Sequence, residues 1–226
     1  ADQLVAVSNG AAADLADILN LPRDAVRTMY NPVLRPELTE RAAESLDDPW
    51  VNDRTVPLIV TAGRLAPEKA QHVLIDAFAQ LLDRGQKARL VILGEGPERE
   101  NLTRQIAENG LESTVRLPGW ADNPYAWMAA SALCVLPSEF EGLPNTLIEA
   151  MACGTPVAAF PVAGPRDIVT DQVGALSEDL DRAIAAALFC DRRTCAEYGA
   201  GFSWAAATSQ FLGGLAALDV ERLPAA

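Results

Sequence analysis

The stretch VPLIVTAGRLAPEKAQHVLIDAFAQLLDRGQKARLVILGEGP, Val56 to Pro97, decides the fold. It opens with an apolar run ending at Gly63. It continues with Val73, Leu74, Ala77, Phe78, Leu81 and Leu82, a one-sided stripe at helical spacing, and closes on a second β-rich run, Ala88 to Gly94. A strand, a helix and a strand within ~40 residues predict two parallel neighbours joined by a crossover.

The alternation continues outward from there. Pro97 starts a helix that stacks Leu102 on Ile106 and stops at Asn109-Gly110. TVRLPG (Thr114 to Gly119), ALCVLP (Ala132 to Pro137) and TPVAAF (Thr155 to Phe160) read as three more strands. Helices are expected from Pro144 to Cys153, from Leu180 to Phe189 and in the tail from Trp204. The expected class is α/β: a Rossmann-like parallel sheet of five strands with helices on both faces. Towards the amino end, LVAVS reads as a strand and Ala11 to Leu19 as a helix. Asp47, Asp48, Pro49, Asn52 and Asp53 make a polar, turn-rich stretch that reads as a linker.

The 226 residues include 18 basic and 31 acidic ones, a net charge of −13. A nucleic-acid binder needs a basic face, and only Lys69 and Lys87 supply lysines. The longest apolar run, Ala126 to Leu136, is broken by Ser131 and falls short of the ~18 residues of a membrane span. The chain opens on Ala1 with no signal-like stretch. Cys134, Cys153, Cys190 and Cys195 form no CxxC pair and have no metal-ligand spacing; Cys134 and Cys153 read as small buried hydrophobes. A reducing, cytoplasmic compartment is expected.

Three segments carry candidate chemistry. In GRLAPEK, Gly63 to Lys69, Arg64 offers a planar fork of donors at a strand's carboxyl end, where open α/β sheets bind ligands. Lys69, placed in the first turn of the next helix, opposes the helix dipole unless an anion sits there; the alternative is a solvated pair with Glu68. In EGLPNTLIEA, Glu141 precedes the helix and Glu149 shares a face with Asn145, opposite Leu147 and Met151. Such carboxylates suit sugar hydroxyls, or serve only as helix-favouring acids. In GEGP, Gly94 to Pro97, the GxGxxG pattern fails because Arg99 holds the third glycine position. His72, the only histidine, reads as filler on its helix, and no nucleophile motif is present.

These segments, in this order, resemble the nucleotide-sugar-binding C-terminal domain of retaining glycosyltransferases of family 4, the GT-B architecture. The resemblance runs over most of residues 56 to 170, and its longest block is EGLPN…EAMACGTPV. It implies four divisions. Residues 1–34, ending at YNP, are the tail of an N-terminal acceptor domain, and 35–55 are a linker. Residues 56–205 form the donor-binding domain, and 206–226 a C-terminal helix crossing back.

The resemblance implies that Arg64 and Lys69 grip the donor's diphosphate and that Glu141 sits near the donor sugar and its phosphate, these three being the catalytic set. It places Glu149 on the ribose hydroxyls and the amides of Gly142 and Leu143 on phosphate or sugar. Arg116, Leu117 and Pro118 fall beside the nucleobase, with Gly63, Gly94 and Glu95 lining the same pocket. No metal or other cofactor is implied. The donor is a nucleoside diphosphate sugar, uridine being favoured, and the acceptor a glycan or lipid-linked saccharide of polysaccharide or glycolipid assembly.

Further expectations are peripheral association at the inner membrane face, self-association of the fragment, and no transfer by the fragment alone. A non-catalytic nucleotide-sugar module and a GT-B-type epimerase or phosphorylase stay open as alternatives. Two departures from the family stand out. Ala70 replaces a frequent glycine, and Val173 to Leu176 runs straight into Ser177, where more residues are usual.

Overall fold

The computed structural model describes residues 3–214. At the amino end, β1 (Leu4–Ala6) and β2 (Val26–Thr28) pair in parallel around α1 (Asn9–Ile18). Ser8 caps α1 by accepting from the Ala11 amide at 3.1 Å. The polar stretch that follows holds two short helices, α2 (Leu38–Ala42) and α3 (Pro49–Asn52). Asp48 caps α3, while Trp50 and Val51 are buried in the main core. The sequence reading assigned no helix here, because each is about one turn long.

A six-stranded parallel sheet follows: β3 (Leu58–Ala62), β4 (Arg89–Leu93), β5 (Val115–Gly119), β6 (Leu133–Leu136), β7 (Val157–Ala159) and β8 (Gly174–Leu176). Sequence reading expected five strands. The sixth is the three-residue piece Gly174–Leu176, whose shortness hid it; the chain turns directly from it into the next helix. The helices between strands are α4 (Gln71–Asp83), α5 (Arg99–Glu108), α6 (Pro124–Ala130), α7 (Asn145–Ala152) and α8 (Ala163–Ile168). After the sheet come α9 (Leu180–Ala187), α10 (Arg192–Gly199) and α11 (Trp204–Leu212).

Alternate strand residues feed two cores. Leu58, Val60, Val91 and Leu93 face α6, α7 and α10, while Ile59, Leu90 and Ile92 face α4, α5 and α9. A sheet covered on both sides needs continuous apolar strands, which explains the LIV and LVIL runs. Cys134 and Cys195 are buried and Cys153 and Cys190 half-buried, all as free thiols.

Strand order is β5-β4-β3-β6-β7-β8. The chain leaves β3 towards one edge and β6 towards the other, so the order reverses between them. Loops diverging at such a point leave a crevice at the carboxyl ends. α11 lies against the amino-terminal unit, where Gln210 Oε1 accepts from the Tyr30 amide at 3.2 Å and Arg27 donates to the Gly213 carbonyl at 3.0 Å. Residues 215–226, the rest of the expected crossing helix, lie outside the described residues. Among the described residues no helix is long and apolar enough to cross a membrane.

Candidate functional site at the strand-order reversal

The loop after β3 and the loop after β6 meet across the crevice. Lys69 Nζ donates to Glu141 Oε1 at 2.6 Å, the two side chains being 29% and 12% exposed. A backbone bond from Glu139 N to Glu68 O, 3.3 Å, joins the same loops. Lys69 is placed differently from the sequence expectation. It ends a single 3-10 turn, Pro67–Lys69, and Ala70 then takes a left-handed conformation at φ +47° before α4 begins. That conformation favours glycine, and a side chain there costs ~1 kcal/mol. The family's frequent glycine thus has a backbone reason, and alanine is the smallest departure from it.

Gln71, the first residue of α4, is buried and donates from Nε2 to the Arg64 carbonyl at 2.9 Å. The neighbouring Leu65 amide donates to Glu95 O at 2.9 Å, so the Arg64 backbone is held between two loops while its side chain stays exposed. The GEGP segment packs onto this loop. A Cβ at Gly94, where φ is +135°, would lie 1.9 Å from the Gly63 carbonyl oxygen, and one at Gly96 would lie 2.2 Å from that of Leu65. These glycines therefore permit two backbones to touch. Arg99, at the failed third-glycine position, clamps the assembly by donating to Glu95 Oε1 and to the Leu117 carbonyl, each at 3.0 Å.

A cleft of about 670 Å³ opens here, lined by Gly63, Arg64, Gly94, Glu95, Thr146 and Glu149, by Trp120, Asp122 and Tyr125, and by Arg35 and Arg41 from around α2. Half-buried Glu149 accepts from the Tyr125 hydroxyl at 3.2 Å. Burial pushes the Glu149 carboxyl above its usual range, opposed by that hydrogen bond and by Arg35. Burial, with the Glu149 charge, pushes the Tyr125 phenol up to about 12. Glu141 is anchored through its backbone, its carbonyl accepting from Gly164 N at 3.2 Å. Gly142 is exposed and Leu143 half-buried on the same loop.

The Arg116 side chain does not line this cleft. The Arg116 guanidinium stacks 3.8 Å from the Trp50 ring centroid and pairs with Asp48 at 3.4 Å. Trp50 lines a separate hollow with Leu58, Ala132 and Pro156, at the amino ends of the strands. The Arg116 side chain is thus drawn away from the cleft by an aromatic face and a carboxylate. Its segment approaches the cleft through the Leu117 and Gly119 carbonyls, which bind Arg99 and the Gly94 amide. Pro118 is exposed beside them. His72 is exposed on α4 and lines none of this. Sequence reasoning missed Tyr125, Arg35 and Arg41. Tyr125 could have been suspected from a hydroxyl inside an otherwise apolar helix, whereas Arg35 and Arg41 carry no local signal.

The fold is that of GT-B glycosyltransferases, and the chain belongs to the family "Glycosyl transferases group 1", whose model matches residues 56–190. It is 32% identical over 182 residues to the Campylobacter jejuni N-acetylgalactosamine-N,N'-diacetylbacillosaminyl-diphospho-undecaprenol 4-alpha-N-acetylgalactosaminyltransferase, covering 80% of this chain and 47% of that one. It is 33% identical over 175 residues to the Mycobacterium tuberculosis GDP-mannose-dependent alpha-(1-6)-phosphatidylinositol dimannoside mannosyltransferase, covering 73% and 45%. Among solved structures, Anabaena Alr3699/HepE in complex with UDP superposes with a TM-score of 0.75 at 22% identity, over 96% of this chain and 64% of that one. The chain therefore spans about half the length of these curated relatives.

Proposed function

We propose that this chain is the donor-binding, C-terminal part of a retaining family 4 glycosyltransferase, moving a sugar from a nucleoside diphosphate sugar to a glycan or lipid-linked acceptor. The observation that carries the reading is the Lys69–Glu141 contact across the strand-order reversal, beside a cleft holding Arg64 and Glu149. The cleft lining sets Arg35, Arg41 and Arg64 against Glu95, Asp122 and Glu149, and Arg64, exposed and without an ion pair among the described residues, is the cation open to an anionic ligand. Both relatives' names specify alpha linkages, which retention from an alpha-linked donor would make. Their acceptors carry lipid, in keeping with peripheral work at the cytoplasmic membrane face in polysaccharide or glycolipid assembly.

In this reading the diphosphate binds Arg64 and Lys69, and the ribose hydroxyls donate to Glu149. Gly142 and Leu143 face the phosphate or sugar, and Leu117 and Pro118 flank the base. Breaking the anomeric bond puts new negative charge on the diphosphate. Preorganised cations stabilise that charge, each donor contributing on the order of 3 kcal/mol. Because fixed cations take this role, binding proceeds without a metal. The acceptor attacks from the face the leaving group vacates. Groups placing that acceptor belong to the rest of a longer polypeptide, so this part alone binds donor without transferring sugar.

Calorimetric titration with UDP, favoured over GDP, in the presence of a chelator tests the proposal. Binding that survives chelation supports it. Loss of binding overturns the metal-free part, and no binding of either nucleotide with metal supplied overturns the donor-site reading.

A further inference from the structure

Tyr125 and Glu149 come from different helices, α6 and α7, yet the Tyr125 hydroxyl donates to Glu149 Oε1 at 3.2 Å. Tyr125 is 5% exposed and packs among apolar side chains, where phenylalanine would fill the same volume. Among the described residues its hydroxyl has Glu149 as its hydrogen-bond partner. A buried phenol held to one carboxylate is a geometric device, since it restricts the acceptor's orientation. Arg35, from the segment between β2 and α2, lines the same cleft, pairs with Glu37 at 3.9 Å, and adds positive charge that favours ionised Glu149.

We propose that Tyr125 is a positioning residue for Glu149, fixing its carboxylate towards the cleft and holding it ionised, with the Arg35 charge in the same cleft assisting. The proposal rests on the nucleotide reading of the cleft and goes beyond it by naming what prepares the ribose-binding carboxylate. Burial disfavours the charged form of Glu149, and the Tyr125 hydrogen bond and Arg35 oppose that tendency. The other titratable groups facing this pair are Arg41, whose guanidinium lies 6.0 Å from the Tyr125 ring centroid, Cys134 on β6 and Cys153 after α7, thiols that burial pushes up and keeps neutral, and Glu37 towards Tyr125. Removing the hydroxyl or Arg35 therefore raises the Glu149 pKa further. As pH falls, nucleotide affinity is then lost at a higher pH than in the unaltered chain.

The test is UDP calorimetry on the full chain between about pH 5 and pH 8, with melting curves to confirm folding. Titration of the UDP phosphate is common to all variants and cancels in the comparison. Tyr125→Phe is expected to weaken UDP roughly two- to tenfold at neutral pH, the cost of ordering a carboxylate no longer held in place, and to move the acid limb upward. With 2',3'-dideoxy-UDP, which offers Glu149 no hydroxyls, the variant and the unaltered chain should bind alike. Arg35→Gln, a change at an exposed side chain, should move the limb the same way and keeps the test open if Tyr125→Phe unfolds.

Unchanged affinity and limb in folded Tyr125→Phe would overturn the proposal, as would an equal loss with the dideoxy ligand. An unmoved limb in Arg35→Gln would do the same. An unaltered chain that fails to distinguish UDP from its dideoxy analogue would instead overturn the placement of the ribose on Glu149 in the underlying reading.

Discussion

Lys69 and Glu141 stand 72 residues apart in the chain and 2.6 Å apart in space, Nζ to Oε1. Each occupies a loop that leaves the sheet on its own side of the reversal between β3 and β6. The ion pair therefore ties the two halves of the sheet together where a diphosphate is proposed to bind. An arriving anion would share Lys69 with Glu141, and the contact becomes part of the site's response to ligand.

Lys69→Ala strands the Glu141 carboxylate, which is 12% exposed, and should cost about 1 to 3 kcal/mol of stability. Adding Glu141→Gln should recover part of that loss, because the stranded charge is gone. Denaturant melts of both singles and the double variant check this. Additive losses would mean the pair is not coupled.

Glu149→Ala should weaken UDP and the UDP-sugar alike, by roughly 1.5 to 3 kcal/mol for hydrogen bonds to a charged acceptor. Glu141→Ala should weaken mainly the UDP-sugar. Parallel titrations separate the roles; equal losses for both ligands in both variants would show the assignment to be wrong.

Gly94→Ala places a methyl group 1.9 Å from the Gly63 carbonyl oxygen at φ +135°. Backbone must move, at a cost on the order of 3 kcal/mol or more, and the cleft wall moves with it. Gly63→Ala, whose Cβ meets nothing within 4 Å, is the control and should stay within about 1 kcal/mol. Chemical denaturation of the two variants distinguishes them.

Sugar transfer should be absent from this chain alone and present when the same sequence sits in a polypeptide of its relatives' length. Placing the acceptor supplies ~7 to 11 kcal/mol in a closed cleft, and an open donor site lacks it. Trp204 and Phe211 on α11 are 59% and 54% exposed, and Val5 on β1 46%. Together with Ile18 at 79%, this apolar surface should promote self-association. Product analysis checks the first point and sedimentation the second; transfer at the longer polypeptide's rate, or a strict monomer at high concentration, would contradict them.

The main strands and α4, α5, α7 and α9 were legible because each buries a periodic apolar face. α6 was not, because its apolar residues merge with those of β6 and only Ser131 divides them. α8 is six residues long, α10 buries only Cys195 and Gly199 among its eight residues and so shows no apolar period, and β8 is three residues long. Spacing put Glu149 on the outward face of its helix and Glu141 just before it, and their expected roles came from the family resemblance. The Tyr125–Glu149 bond and the place of Arg35 follow from packing between elements distant in sequence, which no local pattern encodes. The Arg116 side chain turns from the cleft for the same reason, since its stacking partner Trp50 lies 66 residues earlier.

The most direct measurement is a crystal structure of the chain with UDP bound. The account predicts the diphosphate within hydrogen-bond distance of Arg64 and Lys69 and the ribose hydroxyls on Glu149. UDP seated in the hollow at the opposite end of the sheet, against Arg54 and Arg192, or bound in the cleft without touching Arg64 and Lys69, would contradict it.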